Sequence, residues 1–148
     1  MKNPVLWFRI TAVLMALFAL GHTFGFLAFR PSAAEGQAVW ASMNNVHIAE
    51  GGSTFTYGGF YRGFGLSISA FQLFFAWLAW ILASMARQPA PGIRAIAWGM
   101  FALMLAEILL SLKYFSVEPA IFSVIGALCF AMAALSVPKS VPALEQPA

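Results

Sequence analysis

The amino-acid sequence predicts an all-α protein, a transmembrane four-helix bundle with a short amphipathic helix in the long loop between helices one and two. Hydrophobic residues make up 61% of the 148 residues and charged residues only 9%, against roughly 25% charged in a typical soluble domain. Apolar runs cover residues 4–29, 60–86, 92–115 and 119–137, and a membrane-spanning helix needs about 20 residues. Residues 71–80 are apolar except for Gln72, whereas the strands of a membrane barrel alternate apolar and polar residues. We therefore expect one membrane domain over residues 1–137.

The first predicted span begins at Pro4, which suits the first turn of a helix because proline has no N–H to leave unpaired. A cleavable signal peptide is the alternative for this region, since Lys2 and Arg9 give it a positive start. The apolar core of a signal peptide is roughly 7–15 residues long, and the run over 4–29 continues well beyond that. We therefore expect it to be a span.

The only long connection runs from residue 30 to residue 59. Ser32 and Glu35 form a capping-box pattern, in which each side chain would bond the other residue's free backbone N–H. Apolar residues follow at helical spacing, so we expect a short helix from about Ala33 to Asn44 on the membrane surface or over the bundle. The pairs Gly51-Gly52 and Gly58-Gly59 would then permit sharp turns before the second span.

The later connections are short. Residues 87–91 make helices two and three antiparallel neighbours, and Pro119 opens the fourth helix after a turn at 116–118. The polar, proline-containing stretch 138–148 has the composition of a disordered tail.

The distribution of charge predicts the orientation. With four spans, both termini lie on the same side. Short loops rich in Lys and Arg stay in the cytoplasm, which predicts a multi-pass protein of the inner (plasma) membrane with both termini cytoplasmic. No basic patch of the kind that binds nucleic acid is present. The terminal side would carry five cations against three on the other side: Lys2, Arg9, Arg87, Arg94 and Lys139 against Arg30, Arg62 and Lys113.

Each predicted span carries a polar residue at a similar depth, roughly 5–10 Å below the outer surface at about 1.5 Å per helical residue. Ionisable residues inside a membrane are costly and usually face the helix bundle or a cavity. The simplest arrangement pairs Glu107 with Arg62 or His22, since an opposite charge would keep Glu107 ionised. The candidate ligand-binding residues are those on the inward stripes of these helices: His22, Arg62, Ser69, Gln72, Glu107 and Ser111.

A purely structural role is the alternative for this polar layer, because buried polar residues also fix helix register and hold membrane helices together. A metal site is not expected. His47 and Glu50 have a spacing that would place two ligands on one helix face, but typically three or four ligands are needed. The single Cys129 excludes an internal disulfide, and no cofactor is expected.

Two short motifs are residues 19–25 (ALGHTFG) in the first span and residues 60–66 (FYRGFGL) at the start of the second. They resemble motifs of a family of small bacterial four-helix integral membrane proteins without an assigned activity. The resemblance implies the four-helix architecture and marks His22 and Arg62, but it implies no mechanism. The pair Gly58-Gly59 departs from the bulkier, acidic pattern of that family.

Three functions agree with these patterns. The first is binding of a lipid, isoprenoid or other amphiphilic small molecule, such as a quinone-like compound, in the outer half of the bundle, with the loop helix as a lid; an enzyme version would use His22 or Glu107 to move a proton. The second is an accessory or structural subunit of a larger membrane complex, as part of a homo- or hetero-oligomer. The third is an oligomeric transporter. The expected partners are membrane lipids.

Overall fold

In the computed structural model, which describes residues 3–87 and 92–138, helices dominate. Four of them are long and apolar enough to cross a membrane, and their ends lie within three residues of those predicted for the four spans. The short helix in the long loop is also present. The order is α1 (Pro4–Ala28), α2 (Ala34–Asn45), β1 (His47–Glu50), β2 (Ser53–Thr56), α3 (Tyr57–Met85), α4 (Ile93–Tyr114) and α5 (Val117–Ser136).

A two-stranded antiparallel hairpin, β1–β2, occupies part of the long loop where no strand was predicted. Its register pairs His47 with Thr56 and Glu50 with Ser53. Gly51 and Gly52 both have positive φ, +58° and +78°, as a two-residue turn of this kind requires. The turn predicted at Gly51-Gly52 is therefore present. His47 and Glu50 lie on opposite faces of β1, because side chains alternate along a strand.

Side-chain caps start two of the long helices. Asn3 Oδ1 accepts a hydrogen bond from the Leu6 N–H at the start of α1, and Thr56 Oγ1 accepts one from the Gly59 N–H at the start of α3. Such caps satisfy backbone donors that have no partner inside the helix. Gly58 and Gly59 therefore lie in the first turn of α3, and the turn predicted at this pair was wrong.

The predicted capping box of α2 does not form. The residue that precedes the helix is Ala33, and no side chain caps the helix there. The bounds of α2 nevertheless lie one residue from those predicted. The predicted tail falls, from residue 139 onward, outside the described residues, as do residues 88–91.

The chain divides into two compact units, residues 1–16 with 74–148, and residues 17–73. In the first unit, parts of α1 and α3 pack with α4 and α5 around one apolar core. A Cβ added at Gly126 of α5 would lie 3.1 Å from Met104 Sδ and 3.2 Å from Met15 Cε, so this glycine permits close packing. The largest side chains that are fully or almost fully buried in this core are Phe8, Met15, Ile93, Met104 and Phe130.

The second unit consists of the end of α1, the helix α2, the hairpin and the first half of α3. No residue of α2 is buried. Val39 of this helix is 59% exposed, whereas Gly36, Trp40 and Met43 are half-buried. The predicted amphipathic character of α2 is thus limited to a narrow face formed by Gly36, Trp40 and Met43. This face contributes to the lining of the candidate site.

Candidate functional site

His22 lies between two aromatic rings on one face of α1. Its ring is nearly parallel to that of Phe18, with centroids 5.9 Å apart, and to that of Phe26, with centroids 5.7 Å apart. The three residues are four positions apart, so a helix places them above one another. The imidazole is thus held in a fixed plane within a predicted span.

Hydrogen bonds join His22 to α3. Ser69, which is only 6% exposed, has its Oγ 3.0 Å from His22 Nδ1 and 2.7 Å from Thr23 Oγ1. Thr23 Oγ1 also lies 2.7 Å from the carbonyl oxygen of Ala19. These contacts bring together two of the predicted site residues, His22 and Ser69.

The hydroxyl protons of Thr23 and Ser69 determine which tautomer of His22 fits these contacts. A carbonyl oxygen only accepts, and each hydroxyl has one proton to donate, so Thr23 donates to Ala19 and Ser69 donates to Thr23. His22 Nδ1 must then donate to Ser69 Oγ. All three bonds exist together only when Nδ1 carries a proton, and a neutral His22 therefore has its lone pair on Nε2.

We expect nitrogen NMR of the labelled protein to show a protonated Nδ1 on His22. In Thr23→Val the hydroxyl of Ser69 loses its acceptor and can donate to Nδ1, so the population should move toward the Nε2–H tautomer. Ser67→Ala is the control, because Ser67 lies on α3 like Ser69 but donates its hydrogen bond to the backbone carbonyl oxygen of Gly63 on the same helix. An unprotonated Nδ1 in the native protein would contradict the assignment.

A glycine permits α1 and α3 to approach each other beside this cluster. A Cβ added at Gly65 would overlap the ring of Phe26. Two turns after Gly65 on α3, Gln72 has a buried side-chain oxygen that accepts no hydrogen bond from the described residues. The polar cluster in the second unit is thus Thr23, His22 and Ser69, with Gln72 one turn after Ser69 on α3 and the ring of Phe26 packed against Gly65.

A small cavity of about 210 Å³ lies on the other side of Phe26. Its walls are Phe26, Leu27, Arg30, Trp40 and Arg62, which we call the arginine cavity. Two guanidinium groups therefore face one space at the level where α1 ends and α3 has just begun. The described lining includes no carboxylate.

Helix α2 contacts the start of α3, beside the arginine cavity, through polar and aromatic side chains. Asn44 donates from Nδ2 to the carbonyl oxygen of Trp40, and its Oδ1 accepts a hydrogen bond from the guanidinium of Arg62. Trp40 also meets the ring of Tyr61 edge-on, with centroids 6.2 Å apart. A Cβ at Gly58 would come within 2.7 Å of Asn44 Oδ1, so only glycine lets α3 approach α2 so closely there.

A second cavity, of about 490 Å³ and open to the surface, shares the lining residue Trp40 with the first and is lined on one side by α2. We call it the apolar cavity, since most of its lining side chains are hydrophobic. Among the described residues, Glu35 is the only charged one in its lining. The described lining is Phe29, Pro31, Glu35, Gly36, Val39, Trp40, Met43 and Tyr61.

A third, more open groove of about 570 Å³ runs along α3. Gly59, Gly63 and Ser67 lie along its length, and four phenylalanines also line it: Phe55, Phe60, Phe64 and Phe71. At 3.6 residues per turn these positions face away from Gly65 and Ser69. This outer groove is therefore a different surface from the polar cluster and the arginine cavity.

The predicted site residues are distributed over both units. His22, Arg62, Ser69 and Gln72 lie in the second unit, where His22 bonds Ser69, Arg62 bonds Asn44 and Gln72 is the residue with the unpartnered oxygen. Glu107 and Ser111 lie on α4 in the first unit. The pairing of Glu107 with Arg62 or His22 stays a prediction.

Arg30, Trp40 and Phe26, which line the arginine cavity, were not predicted as site residues. Arg30 was counted only as a loop charge, although it directly follows the end of the first span. Phe26 had a signal in the sequence, since it lies one helical turn after His22. Within the described residues, no group of three or more His, Cys, Asp or Glu side chains is placed to hold a metal ion.

Comparisons with known proteins add no relative. No protein-family model matches the chain, and neither a curated protein nor a solved structure does so.

Proposed function

We propose that this chain is a multi-pass inner-membrane protein that binds an amphiphilic small molecule, such as a lipid or an isoprenoid, in its second unit, which contains the parts of α1 and α3 that we predict to form the outer half of the bundle. The observation that carries the proposal is that the arginine cavity and the apolar cavity share the lining residue Trp40. One cavity has two cations in its lining and the other is almost wholly hydrophobic. A molecule with a polar head and an apolar body matches this division.

The sizes of the cavities support the proposal. Small-molecule sites commonly measure roughly 300–1,000 Å³ and combine apolar walls with a few well-placed polar groups. The apolar cavity alone, at about 490 Å³, falls in that range, and the arginine cavity adds space for a head group. Helix α2, which has no buried residue, forms the roof of the site. Segments with few buried contacts open at low free-energy cost, so α2 can act as the lid.

We propose binding rather than catalysis because His22 does not line either cavity. The ring of Phe26 lies between His22 and the arginine cavity, stacked on the imidazole and forming part of the cavity wall. A proton transfer by His22 to a bound molecule would require Phe26 to move. In the bound state that we propose, the polar cluster holds α1 against α3 and so fixes the wall of the site.

A role as a subunit of a larger membrane complex is the second candidate, favoured by the outer groove. Small residues four positions apart let membrane helices approach closely, and Gly59, Gly63 and Ser67 have that spacing. No such observation favours a transporter. Broken spans are the usual pointer to a transport site, and α1, α3, α4 and α5 are continuous over their described lengths.

Native mass spectrometry of the purified full-length protein tests the binding proposal. We expect the wild type to retain a bound amphiphile in a fixed ratio after detergent exchange. Trp40→Ala should abolish this retention, because Trp40 lines both cavities. Trp98→Ala is the matched control, since Trp98 is 37% exposed and lies on α4 in the other unit. Retention by the Trp40 variant, or no retention by the wild type, would overturn the proposal.

A further inference from the structure

The hydrogen bonds of the arginine cavity leave its two positive charges without a negative partner. Arg30 donates from Nη1 to the carbonyl oxygens of Leu27, at 3.1 Å, and Phe29, at 2.6 Å. Arg62 donates from Nη2 to the amide oxygen of Asn44. All of these acceptors are neutral. Among the described residues, the two guanidinium groups thus share a cavity that no carboxylate lines.

The same bonds hold both side chains in place. Arg30 caps the carbonyl end of α1 and lies over the ring of Trp40, with Cζ 5.8 Å from the ring centroid. Asn44 is itself oriented, because its Nδ2 bonds the backbone of Trp40 and so turns Oδ1 toward Arg62. A guanidinium has five N–H donors, and the bonds in the described structure use one nitrogen of each group. The remaining donors are available for a ligand.

We propose that the arginine cavity binds the phosphate group of the amphiphile, which makes the ligand a phosphate-bearing lipid or isoprenoid; this inference rests on the proposed function. Guanidinium groups bind oxyanions through paired, charge-assisted hydrogen bonds. A carboxylate presents two oxygens in one plane and satisfies one guanidinium fork. A phosphate presents oxygens on several sides, so that Arg30 and Arg62 can each bind it from a different wall. The phosphate also offsets the repulsion between the two cations.

Titration of the detergent-solubilised full-length protein with four probes tests this inference. Dioleoyl phosphatidic acid supplies the phosphate with acyl chains, dioleoylglycerol the same chains without phosphate, oleic acid a carboxylate, and inorganic phosphate the anion alone. We expect phosphatidic acid to bind most tightly. Arg30→Gln and Arg62→Gln should each weaken its binding about tenfold, the size of one charge-assisted hydrogen bond. Dioleoylglycerol should bind the wild type and both variants alike.

Two kinds of control make the result specific. Arg87→Gln removes one positive charge from an exposed position outside the cavity and should leave binding of phosphatidic acid unchanged. Arg30→Lys and Arg62→Lys keep the charge but lose the planar fork, and should bind less tightly than the wild type and more tightly than the glutamine variants. Circular dichroism of each variant shows whether its helices are retained, and the lysine variants replace any glutamine variant that fails to fold.

Each contrary outcome has a distinct meaning. Equal binding of phosphatidic acid and dioleoylglycerol, or unchanged binding in the glutamine variants, overturns the phosphate cavity and leaves the amphiphile proposal intact. Oleic acid binding as tightly as phosphatidic acid overturns the preference for phosphate over carboxylate. Inorganic phosphate binding in the absence of binding by any amphiphile overturns the proposed function and leaves a free-phosphate site. No binding of any probe overturns both.

Discussion

Replacing Gly65 by alanine is expected to destabilise the protein more than any other single-methyl addition to the second unit. The added Cβ would overlap the ring of Phe26, and a shift of this ring toward the arginine cavity, which it lines, would break its contacts with neighbouring rings. It is stacked on His22 and contacts Tyr61, with ring centroids 5.2 Å apart. Overpacking of a closely packed site typically costs about 1–3 kcal/mol. We expect a loss of this size for Gly65→Ala and a larger one for Gly65→Leu, measured by reversible unfolding in mixed detergent micelles.

Gly63→Ala is the matched control, because a Cβ at Gly63 has nothing within 4 Å. Alanine forms helices more readily than glycine by roughly 0.5–1 kcal/mol, so this variant should be neutral or slightly more stable. Combining Gly65→Ala with Phe26→Ala should restore much of the lost stability, since the clashing ring is gone. The close packing of α1 on α3 would be disproved by equal stabilities of the two single alanine variants.

Truncation of Phe130 to alanine is the second change with a large expected effect, and it acts in the first unit. Phe130 is fully buried on α5, beside Ala127, Ala133 and Ala134. In a soluble core this truncation costs about 3–5 kcal/mol, part of it for the cavity left behind. Association of membrane helices gains little from the transfer out of water and depends on packing, so we expect the lower part of that range, about 3 kcal/mol.

Unfolding of Phe130→Ala should be compared with that of Leu128→Ala, a truncation on the same helix. Leu128 is 62% exposed and faces outward, where lipid fills the space that the side chain leaves. We expect a change near zero for this control. A Phe130 variant as stable as the Leu128 variant would show that the core of the first unit is not close-packed at this position.

The spans were predictable because a membrane imposes one requirement on each of them separately. A run of about 20 apolar residues meets that requirement without reference to the rest of the chain. The hairpin was missed because strands of four residues carry almost no periodic signal, and only the pair Gly51-Gly52 indicated a turn. The capping box was wrong because the helix begins after Ala33, so that Ser32 lies one position too early to cap it.

The candidate site was predictable only where an ionisable residue interrupts an apolar segment. His22 and Arg62 are such residues, because each lies within an apolar run of the sequence. Trp40 and Arg30 give no such signal, since aromatic and basic residues are ordinary near a membrane surface. They line the cavities because α2 packs against the start of α3, where Asn44 bonds Arg62 and Gly58 leaves room for the side chain of Asn44. Such a contact between residues separated in the sequence has no local sequence signal.

The length of α3 has a consequence for where the protein can reside. With 29 residues, this helix is about 43 Å long at 1.5 Å per residue, whereas the hydrocarbon layer of a typical bilayer is about 30 Å thick. Its stretch from Gly63 to Met85 has no charged residue and is by itself slightly longer than that layer is thick. Such a helix tilts or thickens the surrounding bilayer, each at a modest cost per ångström. We therefore expect the protein to partition into vesicles of long-chain lipids in preference to those of short-chain lipids.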